Sequence, residues 1–488
     1  MKRLKSLKIL SYALILILLV PSCAVNPVTG KKQLMFMSEQ QEIALGAQYD
    51  PSVVSTFGIY QNEELQNFIT KKGAEMGKIS HRPQLQYHFK VLDSPVVNAF
   101  AVPGGYIYLT RGIIAQLNNE AELMGIMGHE MGHITARHTA QQQTNQQIGQ
   151  VLLIGGMMAS KKIYEMADKV MAGMQLLFLS FSRENEREAD RLGVEYSSKI
   201  GYDAHKMADF FEVLNKMNMN SNHAGVPTWM STHPDPGERN LSVHKTTEEW
   251  QAKLPTREYH VNANSYLRLI DGIVYGEDPR QGFVENNTFY HPELAFEFSF
   301  PNKWSLVNTP TQVQIISPNQ DAGIIFTMAS ENTPEDAAQK TVNDMQLTAL
   351  STTKTSVNGK PAVAVISQQV SQSQTGEEQV TKVLSYFIKH GDKVYVFHGI
   401  SSSNQFNTFA PAFESTMTDF TTLTDSNKLN IKPNRIKVIS IQSASVSLAD
   451  AFKYYKVPEE KFSELALLNN LDLNHKLSRG DMIKIISK

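Results

Sequence analysis

Cysteine is almost absent from this chain of 488 residues, where Cys23 is the single example. One cysteine excludes a disulfide bond within the chain and a zinc site built from cysteine ligands. An excess of either charge is also lacking, because 46 Lys and Arg oppose 48 Asp and Glu. The formal charge of −2 therefore gives no reason to expect nucleic acid as a partner. The length predicts about three domains, and 41% hydrophobic residues suffice for a buried core.

Apolar runs long enough to span a membrane are lacking as well. The run from Ile9 to Val20 has 12 residues and follows a basic start, which is the anatomy of an export signal over residues 1–22. Val20-Pro21-Ser22-Cys23 resembles a bacterial lipobox, so we expect lipid on Cys23 and a membrane anchor there. A plain secretory signal followed by an incidental cysteine is the alternative.

Two further features concern the membrane. Ala24, rather than Asp, follows the cysteine, which by resemblance to Gram-negative lipoproteins favours the outer membrane and a periplasm-facing protein. The apolar stretch Val151–Ala159 is too short to cross a bilayer. It is interpreted as a flap over a cleft, a membrane-touching loop or a core helix.

The strongest chemical signal is His129-Glu130-Met131-Gly132-His133, an HExxH motif. On a helix, residues four apart share a face, so His129 and His133 can point at one metal ion. Zinc binds imidazole nitrogen readily, and Glu130 is placed to act as general base on a water molecule. A chance match is the alternative, with an expectation of about 0.04 per chain of this composition.

A zinc site with two His needs a third protein ligand, and a charged segment downstream offers one. Glu186 is the candidate ligand, and Asp190, four residues later, lies on the same helical face. Asp190 can accept a hydrogen bond from a ligand imidazole and fix its tautomer. A solvated charged helix face is the alternative interpretation of this segment.

A hairpin is predicted just ahead of the motif helix, over Asn98–Leu109 with its turn at Pro103-Gly104-Gly105. A strand in this place can border the cleft, where an extended peptide adds itself as another strand. Phe100, Ala101 and Val102 are therefore candidate substrate-binding residues. An ordinary core hairpin is an equal alternative.

His233 lies in Ser231-Thr232-His233-Pro234, where proline restrains the backbone and suits the placement of an imidazole at a site. A surface histidine beside a turn is the commoner interpretation.

Five motifs in order along the chain carry a resemblance to a known family. They are Asn26–Gly30 (NPVTG), Asn98–Gly105 (NAFAVPGG), His129–His133 (HEMGH), Glu186–Asp190 (EREAD) and Ser231–Pro234 (STHP). Together they resemble the bacterial lipoprotein branch of the zinc metallopeptidases that include HtpX, the CAAX prenyl proteases and BepA. The resemblance covers residues 26 to about 239.

The resemblance implies one zinc ion per chain, held by His129, His133 and Glu186, with Glu130 as general base and Asp190 supporting the site. It places His233 near the metal, either as a stabiliser of the oxyanion or as a fourth ligand that silences the enzyme. It also implies a gluzincin fold, mostly helical with a small sheet, over residues 23–257. Unlike BepA, the C-terminal half shows no pattern of helical repeats.

The fold class predicted for the whole chain is multidomain α+β. A turn-dense connector over residues 258–282 leads to an accessory domain over residues 283–425, with an antiparallel sheet and helices on one of its faces, vaguely resembling PsbP-like folds. Helices are expected at Thr333–Leu350 and Asn404–Phe420. This domain offers no catalytic set, so binding or positioning is its expected role.

Residues 426–488 resemble a degenerate LysM module with a βααβ order. Ser447–Phe452 is predicted to open a helix, and Leu477–Asp481 matches a later position of that family. Such modules often bind peptidoglycan, but Ser443-Ala444-Ser445 replaces the usual Gly-Asp-Thr. Contact with an envelope protein is therefore an equal expectation.

The sequence thus predicts a lipid-anchored, periplasm-facing zinc endopeptidase that acts on unfolded or misassembled envelope proteins. The rival hypothesis is an envelope assembly factor that holds such proteins with little or regulated proteolysis. A cell-wall-associated protein with a primary LysM-like end is a third, weaker hypothesis.

Overall fold

The computed structural model describes residues 23–35, 37–142, 180–220, 229, 232–233, 236–255, 258–372 and 378–488. The predicted signal peptide and the stretch 151–159 lie outside this set, as do Ser231 and Pro234. The described part is multidomain α+β, as predicted, with a helical N-terminal region followed by antiparallel sheets. No helix within these ranges is both long enough and apolar enough to cross a membrane.

The N-terminal region combines helices with short strands. Its strands are β1 (Cys23–Val25), β2 (Lys32–Leu34), β3 (His88–Leu92), β4 (Ala99–Val102) and β5 (Tyr106–Thr110). Its helices are α1 (Glu39–Phe57), α2 (Glu63–Lys78), α3 (Arg111–Gln116), α4 (Glu120–Thr135), α5 (Arg183–Lys199), α6 (His205–Asn220) and α7 (Pro236–Lys253). Side-chain caps start several of these helices. A capping box is present at α1, where the side chains of Ser38 and Gln41 each accept a hydrogen bond from the other's backbone N–H.

The small sheet has the order β3-β5-β4, with β5 parallel to β3 and antiparallel to β4. The predicted hairpin is confirmed, since β4 and β5 are joined by one turn of 3₁₀ helix at Pro103–Gly105. Gly46 of α1 permits a close approach to this turn, because a Cβ there would lie 2.1 Å from the Pro103 carbonyl oxygen. The small sheet thereby packs between α1 and α4.

The connector contains α8 (Ala263–Leu269) and leads to the accessory domain, whose largest sheet has seven antiparallel strands. They are β9 (Ser305–Asn308), β10 (Val313–Ile316), β11 (Ala322–Ala329), β12 (Thr348–Val357), β13 (Lys360–Gln372), β14 (Glu378–His390) and β15 (Lys393–Ser402). Across the sheet their order is β12-β13-β14-β15-β11-β10-β9. A four-stranded sheet is built from β6 (Phe283–Glu285), β7 (Thr288–His291), β8 (Phe296–Ser299) and β16 (Thr421–Thr422). Helices α9 (Pro334–Asp344) and α10 (Phe406–Asp419) pack against opposite faces of the large sheet. The prediction that the helices share one face is therefore wrong, because alternate residues of β13 and β14 are apolar and each face of the sheet needs a cover.

One predicted helix in this domain is too long. It was expected to reach Leu350, but α9 ends at Asp344 and residues 348–350 begin β12. Gln346 adopts a positive φ of 53°, which breaks the helix, and the threonine-rich run that follows favours a strand. The helix expected at Asn404–Phe420 matches α10 closely.

The C-terminal module follows α11 (Ser426–Leu429). It contains β17 (Arg435–Ser440), β18 (Val446–Ser447), α12 (Leu448–Tyr454), α13 (Phe462–Leu468), β19 (Lys476–Leu477) and β20 (Met482–Ser487). β17 pairs antiparallel with β20, and β18 with β19, so the two helices lie between paired strands. The order is ββααββ, in which the short strands β18 and β19 extend the expected βααβ order.

The hydrophobic core does not follow the predicted domain boundaries. One buried cluster contains Met127 of α4, Tyr266 of α8, and Phe452 and Ile483 of the C-terminal module. The accessory domain instead has cores of its own, with Phe397 in the largest. The C-terminal module is therefore built onto the metal-site region rather than suspended beside it.

Candidate metal centre

The site is formed where α4 and α5 cross at very short distance. Glycines permit this approach: a Cβ on Gly128 would lie 3.0 Å from the Gly193 Cα, and one on Gly132 would lie 3.1 Å from the Ala189 Cα. All residues of α4 are buried, and Asn119 caps its N-terminus by accepting a hydrogen bond from the backbone N–H of Glu122. The crossing brings Glu186 opposite the two motif histidines.

Four buried side chains converge on one point. Ligand atoms of His129, His133, Glu186 and His233 all lie within 4.8 Å of one another. The Nε2 atoms of His129 and His133 are 3.0 Å apart. Glu186 oxygens lie 3.6 Å from the His129 Nε2 and 3.5 Å from the His133 Nε2. The predicted ligands are thus brought together, and His233 joins them.

Asp190 fixes the tautomer of His129. Its Oδ1 accepts a hydrogen bond from the His129 Nδ1 at 2.9 Å, so Nδ1 carries the proton and Nε2 presents a lone pair. Arg239 holds the carboxylate with two hydrogen bonds of 2.6 and 2.7 Å. Burial alone would raise the pKa of Asp190, but the Arg239 guanidinium lowers it to about 2. Asp190 is therefore a permanently ionised acceptor.

Arg239 also reaches the ligand Glu186, at 2.9 Å between Nη1 and Oε2. Burial acts to raise the pKa of Glu186, but His233 and Arg239 outweigh it, so the pKa is lowered and the carboxylate is charged. Sequence reasoning assigned no role to Arg239. Its position six residues after His233 gives no spacing signal, because the contact depends on how α7 packs against α5.

A second relay, also missed from the sequence, orients His133. Its Nδ1 is 3.1 Å from the Nδ1 of His138, whose Nε2 is 3.2 Å from the Glu188 carboxylate. Glu188 accepts the His138 Nε2–H, so the His138 Nδ1 accepts from the His133 Nδ1–H. The Nε2 of His133 is then a lone-pair donor like that of His129.

Glu130 lies beside this set with both carboxylate oxygens buried and, among the described residues, without a hydrogen-bond partner. The Nε2 of His233 lies 3.7 Å from the Glu130 Oε1. Burial raises the pKa of Glu130. A buried carboxylate left in this state is suited to accept a proton.

Aromatic rings form the walls around the ligands. Phe181 stacks on His133 with ring centroids 4.0 Å apart, and Trp229 stacks on His233 at 4.6 Å. The Nδ1 of His233 lies 3.1 Å from both Glu186 oxygens and 3.2 Å from the His129 Nε2. His233 therefore lies among the side chains that could hold a metal ion.

The remaining predicted site residues lie apart from the ligands. Phe100, Ala101 and Val102 are in β4, the edge strand of the small sheet, with their side chains buried in the core. Any substrate contact there would fall to the backbone. Cys23 begins β1, in register with Leu34 of β2.

The donor set fits a metal ion. Two imidazoles are held with their lone pairs turned inward, a third lies within reach, and a charged carboxylate completes the group. Nitrogen and carboxylate donors in this number match zinc coordination, and without a cation the inward lone pairs would repel one another.

Comparisons with known proteins agree with this centre. Residues 61–247 match Peptidase family M48. The chain is 28% identical over 272 residues to a beta-barrel assembly-enhancing protease of Yersinia pestis, covering 53% of this chain and 54% of that protein. It is 30% identical over 183 residues to the mitochondrial metalloendopeptidase OMA1 of Arabidopsis thaliana, covering 37% of this chain and 35% of that protein. The chain thus spans about half the length, or less, of these relatives.

Among solved structures, the chain is similar to cyanobacterial PsbP from Synechocystis sp. PCC 6803. The TM-score is 0.23 at 14% identity, over 28% of this chain and 91% of that chain. A likeness this distant carries no statement about function.

Proposed function

We propose that this chain, whose residues 61–247 carry a Peptidase family M48 domain, is a zinc-dependent endopeptidase of the bacterial envelope. The observation that carries the proposal is the buried convergence of His129, His133 and Glu186 beside the unpartnered carboxylate of Glu130. The metal-ligand side chains and the general base come from two crossed helices, which fixes their mutual placement.

Zinc held by His129, His133 and Glu186 would lower the pKa of a water molecule and polarise the peptide carbonyl. Glu130 would accept a proton at its carboxylate from the attacking water and later donate it to the leaving amine. Asp190 and His138 hold the two ligand imidazoles in the required tautomer throughout. The extended peptide would bond to the free edge of β4, with Phe100, Ala101 and Val102 contributing backbone groups.

The described arrangement favours a latent form of the enzyme. His233 lies among the ligands, and four protein ligands fill a tetrahedral zinc site and leave no position for water. His233 must then leave before a peptide can be cut. Of its two proposed roles, the silencing fourth ligand is the one that these distances support.

The substrate class and location are further parts of the proposal. The substrates are unfolded or misassembled envelope proteins, since an edge strand recognises extended backbone without demanding a particular sequence. A lipid on Cys23 anchors the protein, preferably to the outer membrane, with the peptidase facing the periplasm. The C-terminal module contacts peptidoglycan or an envelope protein.

A second candidate function is an assembly factor that holds envelope proteins with little proteolysis. The placement of His233 among the ligands is the observation that favours it, because a closed site binds metal without cutting. The two hypotheses differ in whether Glu130 is needed.

The deciding experiment compares zinc-loaded, full-length protein with its Glu130→Gln and His233→Ala variants on denatured casein. Glu130→Gln should lower cleavage by about 10²- to 10⁴-fold, the usual contribution of a general base. Glu184→Gln, an exposed change at the start of α5, is the matched control and should cut like the wild type. Equal cleavage by wild type and Glu130→Gln would refute the proposed role of the base.

His233→Ala separates the two roles of that residue. A gain in turnover is expected if His233 blocks the site, and a loss if it stabilises the oxyanion. Unchanged turnover would exclude both. If neither the wild type nor His233→Ala cuts although both hold zinc, the assembly-factor hypothesis replaces the peptidase.

A further inference from the structure

A lysine from the last strand of the chain is buried beneath the metal-binding helix. Lys484 of β20 has no exposed surface, and its Nζ donates hydrogen bonds to the carbonyl oxygens of Ala115, Gln116 and Leu117 at 2.9, 3.1 and 2.9 Å. These carbonyls terminate α3, immediately before the Asn119 cap of α4. Residues more than 360 positions apart are thus joined at the turn that starts the catalytic helix.

The contact uses the full donor capacity of an ammonium group. Lysine has three N–H donors, and each reaches a carbonyl at the C-terminal end of a helix, where carbonyl groups lack partners within the helix. Such carbonyls carry partial negative charge, so they suit a cation. Removing the ammonium would take this donor from buried carbonyl oxygens. The folded state would then lose stability, because a buried acceptor that loses its donor has no water to replace it.

An acidic partner lies on the other side of the same turn. Glu122, in the first turn of α4, accepts from the Asn118 backbone N–H at 2.6 Å and from the Asn119 side chain at 2.8 Å. Burial raises the pKa of Glu122 and lowers that of Lys484, and the charge on each group favours the charged form of the other. The α3–α4 turn is therefore held by hydrogen bonds on both sides.

The strand that presents Lys484 is itself fixed. The side chain of Asn469 accepts from the Lys484 backbone N–H at 2.7 Å and donates to its carbonyl at 2.8 Å. Ile483 and Ile485, on either side, belong to the hydrophobic cluster that includes Met127 of α4. The lysine cannot shift without moving the module.

We propose that the C-terminal module is a positioning element of the peptidase, and that Lys484 is the positioning residue through which it sets the place of α4. That helix carries His129, Glu130 and His133, so a shift of its first turn moves two ligands and the base together. This inference rests on the proposed function for its kinetic consequence. Its consequence for metal binding is independent of peptide cleavage.

The test compares Lys484→Met with Lys437→Met in full-length protein, well below the unfolding temperature of both. Lys437 is an exposed lysine on β17, the strand paired with β20. Lys437→Met therefore makes the same substitution in the same module without removing the hydrogen bonds to the end of α3. Zinc affinity is measured by competition with a chromophoric chelator. The values of kcat and KM are measured on a fluorogenic peptide.

Lys484→Met should weaken zinc binding by about tenfold, as loss of outer support to metal ligands does. It should lower kcat by about 10²-fold, the effect of a displacement near 1 Å at a catalytic site, with KM within about twofold. Lys437→Met should match the wild type in all three quantities. Wild-type zinc affinity and kcat in a folded Lys484→Met would overturn the proposal, and so would equal losses in Lys437→Met.

Lys484→Gln covers the case in which the methionine variant does not fold. Its amide can donate two of the three hydrogen bonds, so we expect a folded protein with a smaller loss of zinc affinity in the same direction. Wild-type affinity in Lys484→Gln would overturn the proposal. If neither the wild type nor any variant cuts the peptide, but the Lys484 variants bind zinc more weakly as stated, the positioning role stands and the peptidase function fails.

Discussion

At the scale of single residues, the site depends on which nitrogen of each histidine carries its proton. Neutral histidine offers one lone pair, and the acceptor opposite the other nitrogen decides where it points. Asp190, which Arg239 keeps ionised, holds the proton of His129 on Nδ1. Glu188 does the same for His133 through His138. The nitrogen that each of these histidines turns toward the candidate metal site is thus fixed by groups outside the set of candidate ligands.

Asp190→Asn should therefore weaken zinc binding by about 10- to 100-fold, the usual effect of losing a partner of a ligand histidine. The amide is a poorer acceptor for the His129 Nδ1–H, and Arg239 loses one of its two carboxylate partners. Chelator competition measures the change, with Glu184→Gln of the same helix as control. Affinity within twofold of the wild type would show that Asp190 does not orient His129.

At the scale of elements, the decisive feature is the close crossing of α4 and α5. A Cβ on Gly193 would lie 3.0 Å from the His129 backbone nitrogen and 3.2 Å from the Gly125 oxygen. These are backbone atoms inside a helix and cannot move aside alone. The ligand from α5 reaches the ligands of α4 because the backbones nearly touch.

Gly193→Ala tests this crossing. Alanine would favour the helix by about 1 kcal/mol, but overpacking should cost about 1–3 kcal/mol and move Glu186 away from the histidines. We expect lower stability in urea and zinc affinity reduced by about tenfold. Gly323→Ala, whose Cβ would be 3.4 Å from the nearest atom, is the control. A Gly193→Ala protein more stable than the wild type would contradict this account.

At the scale of the whole molecule, the hydrophobic clusters group the described residues into two units. The metal-site region, the connector and the C-terminal module contribute to one cluster, whereas the accessory domain has clusters of its own. Few described contacts join these units, such as the hydrogen bond from the Thr311 hydroxyl to the Ser55 carbonyl at 3.2 Å. The units should therefore unfold separately.

Calorimetry should show two transitions, and zinc should raise one of them. A ligand at 1,000 times its Kd stabilises the folded unit by about 4 kcal/mol. Phe452→Leu, in the C-terminal module, should lower the zinc-sensitive transition, and Phe397→Leu, in the accessory domain, should lower the other. Lowering of the zinc-insensitive transition by Phe452→Leu would show that the module does not belong to the peptidase core.

The sequence by itself determined what depends on neighbours along the chain. Four-residue spacing places His129 with His133, and Glu186 with Asp190, on single helical faces, and the Ser38 cap and the Pro-Gly-Gly turn are equally local. The fold class and the resemblance to a metallopeptidase family also came from local patterns and from motifs in order. Strand β12 was not predicted, because it is exposed along almost its whole length and lacks an apolar alternation.

Only the tertiary structure decided how distant segments meet. The contacts of Arg239 with Asp190, of His138 with Glu188, and of Lys484 with the end of α3 join residues 49, 50 and more than 360 positions apart. Such contacts leave no periodic trace, because helix and strand geometry fixes only near neighbours, whereas packing of whole elements fixes the rest. The incorporation of the C-terminal module into the core that supports the metal centre is therefore a property of the folded molecule.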